Sequence, residues 1–246
     1  MSRVRARDHA SMLVRLFGVQ GSWNYETMVG AGMAVVLMPV LRRVYGPEGL
    51  DQAALRHAHF FNAHPYMAGV AAGALARMET DGVEPEVQER FKEAVRGALG
   101  ALGDQVVWGG WRPFCVLLAL AAALVGAPWW AVVGGFLVVY NVGHVGLRAW
   151  GLAVGLKEGT GVARRVRESG LTRAQGALAR GATFLAGLVA PLAALAYGPG
   201  RDLPALLPAA LLAAIAGAVL GVRVRAVAGL TLGLVVLVIL LTGGSQ

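Results

Sequence analysis

Two short stretches gather the side chains that could do chemistry. The first is HAHFFNAHPYMA, His57 to Ala68, in which His57, His59, Asn62 and His64 stand among aromatic and apolar neighbours. A carboxamide and an imidazole can each donate and accept hydrogen bonds, so Asn62 and His64 suit a sugar hydroxyl or the loose backbone groups of a broken helix. Pro65 biases His64 toward extended geometry. Three imidazoles without a nearby thiolate or carboxylate make a poor ligand set, and no metal site is expected. The second stretch is GALGALGDQVVWGGWRPF, which carries Asp104, Trp108 and Arg112 between small and apolar residues. Phosphate-binding loops, nucleophile elbows and zinc-protease helices have sequence signatures that are not found here. No covalent chemistry, catalytic residue or cofactor is therefore expected.

The setting of these stretches follows from composition. Of 246 residues, 57% are hydrophobic and only 15% are charged, well under the roughly 25% charge of a soluble domain. Mean hydropathy is +0.60. The single Cys115 excludes a disulfide framework. With 22 basic against 14 acidic residues the net charge is +8, but the basic residues lie between apolar runs without interleaved aromatics. That pattern fits the cytoplasmic side of a bilayer better than nucleic acid. The chain reads as a multi-pass protein of the plasma membrane.

In a membrane, Asp104 becomes expensive, at about 2.5–3.5 kcal/mol on insertion scales. Two readings stand side by side. Asp104 accepts hydrogen bonds from a polar solute or a helix end, or it forms a fold-locking pair with Arg112 two helical turns on. Gly97, Gly100, Gly103, Gly109 and Gly110 argue against a plain helix here and for close backbone approach or a re-entrant turn.

The predicted fold is an all-α membrane protein with an amphipathic N-terminal helix, re-entrant or broken helices, and several transmembrane helices. Residues 1–26 read as an interfacial arm. Arg3, Arg5 and Arg7 lead into no sustained apolar run, so no signal peptide is expected. Met12, Leu13, Leu16 and Phe17 share one helical face, which can lie on a bilayer or pack on the protein itself. Residues 27–156 form the core. Within it Thr27 to Leu41 is short for a span, and His57 to Ala76 is too polar for lipid and should be re-entrant or buried. Residues 77 to 96 hold six acids and four bases. They predict a surface helix from Pro85 with Val87, Phe91, Val95 and Leu99 inside and an ion pair between Glu86 and Arg90. Pro113 to Leu147 has no formal charge and is broken by Pro128-Trp129-Trp130, which predicts a hairpin or broken helix.

Residues 157–180 carry six bases against two acids and are expected in the cytoplasm. Residues 181–246 supply three candidate spans, Gly181 to Gly200, Leu203 to Val222 and Ala226 to Leu241. Two crossings beyond the 157–180 loop, Arg223 and Arg225 return to the cytoplasm, which leaves the C-terminal tail outside.

Three blocks resemble subunit IID of the mannose-type (mannose/fructose/sorbose) sugar phosphotransferase system. They are Ser22-Trp23-Asn24-Tyr25-Glu26, then Phe60 to Gly69 with Phe61, Asn62, His64 and Pro65, then Gly103, Asp104, Trp108, Gly109, Arg112 and Pro113. A looser match runs through Arg148, Gly151 and Gly155. The resemblance implies a subunit that pairs with a IIC membrane subunit, as an oligomer of such pairs, to move a hexose-type sugar. The soluble IIA and IIB carriers phosphorylate that sugar. It also implies that His57, His59, His64 and His144 are not phosphorylated. After residue 157 the chain departs from the family, with a short Arg-rich segment where a longer polar insertion is usual. The runner-up reading is a membrane scaffold or sensor that reports phosphotransfer flux.

Overall fold

The structure, a computed structural model, describes residues 4–197 and Ile215, and every element among them is helical. The described residues divide into two compact units. Residues 4–105 and 143–171 form the first, and residues 106–142 and 172–197 belong to the second.

In the first unit α1 (Ala6–Leu16) packs on α2 (Gly30–Ala58), and α2 packs on α3 (Ala68–Thr80). Met12 and Leu16 are fully buried in a core with Met33, Leu37, Leu41, Phe61 and Leu75. Met12 and Leu16 of the apolar stripe of α1 are thus spent on the protein core, while Phe17 at its end is 48% exposed. Asp8 fixes the same helix to α2 through Arg43 Nε, 2.9 Å away. Within α2 the backbone breaks at Gly46, where φ is +64°. Glycine takes that conformation without strain, and Pro47 restarts the helix from a position where its missing N–H is harmless.

The helix α4 (Pro85–Gly103) starts with its proline in the first turn, as expected. Its buried stripe is Gln88, Lys92, Val95 and Leu99, while Val87 is 44% exposed. A strict four-residue repeat drifts by about 40° per step around a 3.6-residue helix, so Val87 rotates out of a face that Val95 and Leu99 hold. Burial of Lys92 is compensated by the Arg56 carbonyl at 2.9 Å and the Glu89 carboxylate at 2.8 Å. The expected Glu86–Arg90 pair is not among the ion pairs of the described residues.

Beyond Gly103 the helix continues as a π-helical turn, Asp104–Trp111, before α5 (Arg112–Leu124). Proline at 113 cannot donate the next backbone hydrogen bond, and the wider turn accommodates that loss. In the second unit α5 and the first half of α6 (Trp129–Glu158) form the predicted hairpin. The turn between them uses Gly126 at φ +87°. Trp111 Nε1 ties the pair by donating to the Tyr140 carbonyl at 3.2 Å.

Residues 157–180, expected as a loop, are largely helical. The end of α6 leads through a 3-10 turn (Gly159–Gly161) into α7 (Val162–Glu168) and then α8 (Leu171–Tyr197). Val162 and Val166 are drawn into the core of the first unit. Two helical stretches, Pro85–Leu124 and Trp129–Val189, are long and apolar enough to cross a membrane. The expected span from Gly181 begins within α8, whereas those from Leu203 and Ala226 lie outside the described residues.

Candidate functional site

The first block folds as a loop organised by one side chain. Asn24 Oδ1 accepts the N–H groups of Glu26 at 2.9 Å and Thr27 at 2.8 Å. Trp23 and Tyr25 meet edge to face at 4.9 Å, and both are exposed, as is Glu26. The loop is strapped to the second block by backbone bonds. Phe61 N–H donates to the Thr27 carbonyl, and Val29 N–H to the Phe61 carbonyl, both at 3.1 Å. Phe61 itself is fully buried and serves as the anchor.

The second block then meets the third. His64 is buried, and its Nδ1 accepts the Tyr66 N–H at 3.2 Å. Its ring lies against the bare α-carbon of Gly103, where a β-carbon would overlap it. Asn62 and Asp104, which flank this contact in sequence, are both exposed. Burial, then the nearby Arg148 guanidinium, lower the His64 pKa to about 4, so the ring is neutral near pH 7.

Beneath His64 sits a cation that composition did not single out. Arg148 is buried, donates to the Leu16 and Pro65 carbonyls, and reaches His144 Nε2 at 2.9 Å. Its guanidinium lies between two rings, 5.2 Å from the centroid of Phe17 and 4.9 Å from that of Tyr66. Cation–π contact and paired carbonyls offset the burial of this charge. The helices that carry these groups approach very closely. Gly69 and Gly73 of α3 face Gly151 and Gly155 of α6, and a β-carbon at any of them would press on the other helix. Small residues at four-residue spacing permit such backbone contact.

A second polar centre joins α2 to α3. The Glu79 carboxylate, nearly inaccessible, accepts from Arg56 Nη2 at 2.7 Å, Tyr45 Oη at 2.5 Å and His57 Nε2 at 2.6 Å. Burial alone would raise its pKa, but these hydrogen bonds outweigh it and hold the group at about 2. Burial also lowers the His57 pKa, against the pull of Glu79, so His57 donates as a neutral ring. The three histidines of the sequence cluster therefore have separate surroundings: His57 faces Glu79, His64 faces Gly103 and Tyr66, and His59 is exposed. Sequence reasoning missed Glu79 and met Arg148 only through the looser family match. The acid hides among the charged residues around it, while Arg148 stands out as the lone formal charge between Pro113 and Leu156.

Trp108, Gly109, Arg112 and Pro113 belong to the second unit. Arg112 rests on the Trp108 ring, 4.9 Å from its centroid, and both side chains are exposed. Among the described residues Asp104 carries no ion pair. The helix between Asp104 and Arg112 is π-helical, so the two-turn α-helical spacing on which the expected pair rested does not apply.

Comparison with known proteins gives the same family. The profile of the PTS system mannose/fructose/sorbose family IID component matches residues 3–197. The chain is 30% identical over 152 residues to the mannose-specific EIID component of Escherichia coli K12, which covers 59% of this chain and 53% of that protein. It is 32% identical over 128 residues to the fructose permease IID component of Bacillus subtilis, covering 50% and 46%. The chain thus spans about half the length of the curated relatives it matches. Its fold resembles a chain in the cryo-EM structure of the mannose transporter ManYZ with microcin E492. That likeness has a TM-score of 0.59 and 26% identity over 78% of this chain and 72% of that one. A second solved structure, described only as a membrane protein, shares the fold at a TM-score of 0.66 with 23% identity, over 77% and 71% of the two chains. This chain belongs to the mannose/fructose/sorbose family of phosphotransferase-system IID components, membrane proteins of sugar transport.

Proposed function

We propose that this chain is the non-catalytic membrane subunit that joins a IIC subunit to translocate a hexose-type sugar, which IIA and IIB phosphorylate as it is released inward. The observation that carries this reading is the convergence of Phe61, His64 and Gly103. It brings the turn after the first block, the second block and Gly103 of the third to one region of the first unit. Around that junction Trp23, Tyr25, Glu26, Asn62 and Asp104 remain exposed in the isolated chain. Exposed aromatic and hydrogen-bonding groups of this kind suit a partner subunit and a neutral, hydroxylated ligand. Asn62 and Asp104 are assigned to the sugar pathway or its lining, with Trp108 and Arg112 as further candidates on the second unit.

The orientation proposed places residues 157–180 in the cytoplasm and the C-terminal tail outside, from the distribution of basic residues. A cysteine at Ser245 should react with an impermeant thiol reagent in intact cells, and one at Arg167 should not. The converse pattern would contradict this orientation.

A second reading is a scaffold or sensor of phosphotransfer flux. It is favoured by the short α7 segment, which is folded into the core through Val162 and Val166. The two readings share assembly and differ in transport. A tagged copy should co-purify with a IIC subunit as an oligomer, whereas a stable, monodisperse isolated chain would count against both. A complex that assembles but gives no sugar uptake would favour the sensor.

A further inference from the structure

A cleft of about 490 Å³ lies between α1 and α2, lined by Arg5, Arg7, Arg15, Arg42, Arg43 and Asp8 among others. Five guanidinium groups against one carboxylate leave four positive charges uncompensated within it. The one carboxylate is already engaged, since Asp8 accepts from Arg43 Nε at 2.9 Å. Arg15 is held by Ser11 Oγ and the Val35 carbonyl, at 3.3 and 3.1 Å. Arg43 Nη2 is buried and finds no acceptor among the described residues.

Crowded like charges repel, and a buried guanidinium N–H without an acceptor is a standing cost. An anion with several acceptor oxygens removes both, and planar guanidinium groups match phosphate oxygens in pairs. The cleft falls in the range of small-molecule sites, about 300–1,000 Å³, so it has room for more than a bare ion. Its surroundings are apolar as well as basic: Pro39 lines it, and Val35, whose carbonyl holds Arg15, is 47% exposed on α2. A basic cleft with apolar flanks on a membrane protein fits one ligand chemistry.

We propose that this cleft binds the phosphate of an anionic phospholipid headgroup, with Arg5, Arg7, Arg42 and Arg43 as its ligands and the acyl chains against Pro39 and Val35. The site is separate from the junction of Phe61, His64 and Gly103, and it does not depend on what the chain transports. Binding there would couple the seating of α1 on α2 to the lipid around the protein.

The test is a titration of the detergent-solubilised chain, with its partner subunit where one co-purifies, using fluorescent phosphatidylglycerol. A phosphatidylcholine analogue serves as the control. Wild-type protein should prefer phosphatidylglycerol. The double substitution R5Q/R42Q should raise its apparent Kd about tenfold or more and leave phosphatidylcholine unaffected. Both residues are exposed, so the variant should keep the wild-type elution and melting profile. Should it fail to fold, the preference of wild-type protein between the two lipids decides alone. Equal affinity for both lipids, or an unchanged Kd in a folded variant, overturns the proposal. So does displacement of the lipid by millimolar inorganic phosphate or glycerol phosphate, which would assign the cleft to a soluble phosphate ester.

Discussion

Gly103 and His64 share a contact that only glycine permits, since a β-carbon at 103 would overlap the β- and γ-carbons of the imidazole. Neither atom is the free end of a flexible side chain, so the ring cannot swing clear. Gly103→Ala should therefore cost about 1–3 kcal/mol of stability. Gly97→Ala, six residues earlier on α4 with open space around it, should be neutral or stabilising by about 0.5–1 kcal/mol. Thermal unfolding of the two purified variants compares them directly. Equal melting temperatures would remove the contact from the account.

Glu79 holds three donors at once, and its loss should be felt at α2 and α3 together. Glu79→Ala strands Arg56 and His57 and should cost about 3–5 kcal/mol. Glu79→Gln keeps the shape without the charge, and should cost less, about 1.5–3 kcal/mol. Denaturant unfolding reads both, and an alanine variant as stable as wild type would show that the cluster contributes little.

Much of this organisation was legible in the chain. The hairpin was announced by Pro128-Trp129-Trp130, the helix start by Pro85, and the irregular helix at Asp104 by its glycines. Burial of much of His57 to Ala76 was legible in its polar groups, although His59, Phe60 and Asn62 are exposed. The N-terminal helix was ambiguous because Met12 and Leu16 suit a bilayer and a protein core equally; both pack into the core with α2. The Glu79 cluster was illegible because its members are 34 residues apart between Tyr45 and Glu79. Nothing local in such a sequence pairs one acid with three distant donors. Arg148 was visible as an isolated charge, but its two aromatic partners come from other elements.

The same buried groups set a pH dependence. His57 and His64 are held below their ordinary value of 6.5 by burial, and Glu79 is held at about 2, below its ordinary 4.5. In each case the unfolded chain binds protons that the folded chain refuses, so stability is greatest above pH 6.5 and falls on acidification. The His64 contribution is lost between 6.5 and about 4, and that of Glu79 between 4.5 and about 2. Melting temperatures measured from pH 7.5 down to pH 4 should decline throughout that window below 6.5. A rise on acidification would contradict the neutral, buried state of both rings.

Asn62 and Asp104 are exposed in the isolated chain, so their removal should spare its fold. Asn62→Ala and Asp104→Ala should each leave stability within about 0.5 kcal/mol of wild type. Both should lower sugar uptake per assembled complex, Asn62 through hydroxyl contacts and Asp104 through acceptor capacity. Melting of the chain, complex yield and uptake per complex separate these roles. Should either variant melt early with normal uptake per complex, that residue would be structural and not part of the pathway.

The proposed function requires that this IID-family chain take part in sugar movement without carrying a phosphoryl group itself. The most direct measurement uses vesicles containing a IIC subunit, with IIA, IIB, their phosphocarriers and phosphoenolpyruvate, prepared with and without this chain. Labelled hexoses should accumulate as sugar phosphates only when the chain is present, and no phosphoryl group should be found on His57, His59, His64 or His144. Equal accumulation without the chain would contradict the account, as would a phosphorylated histidine on it.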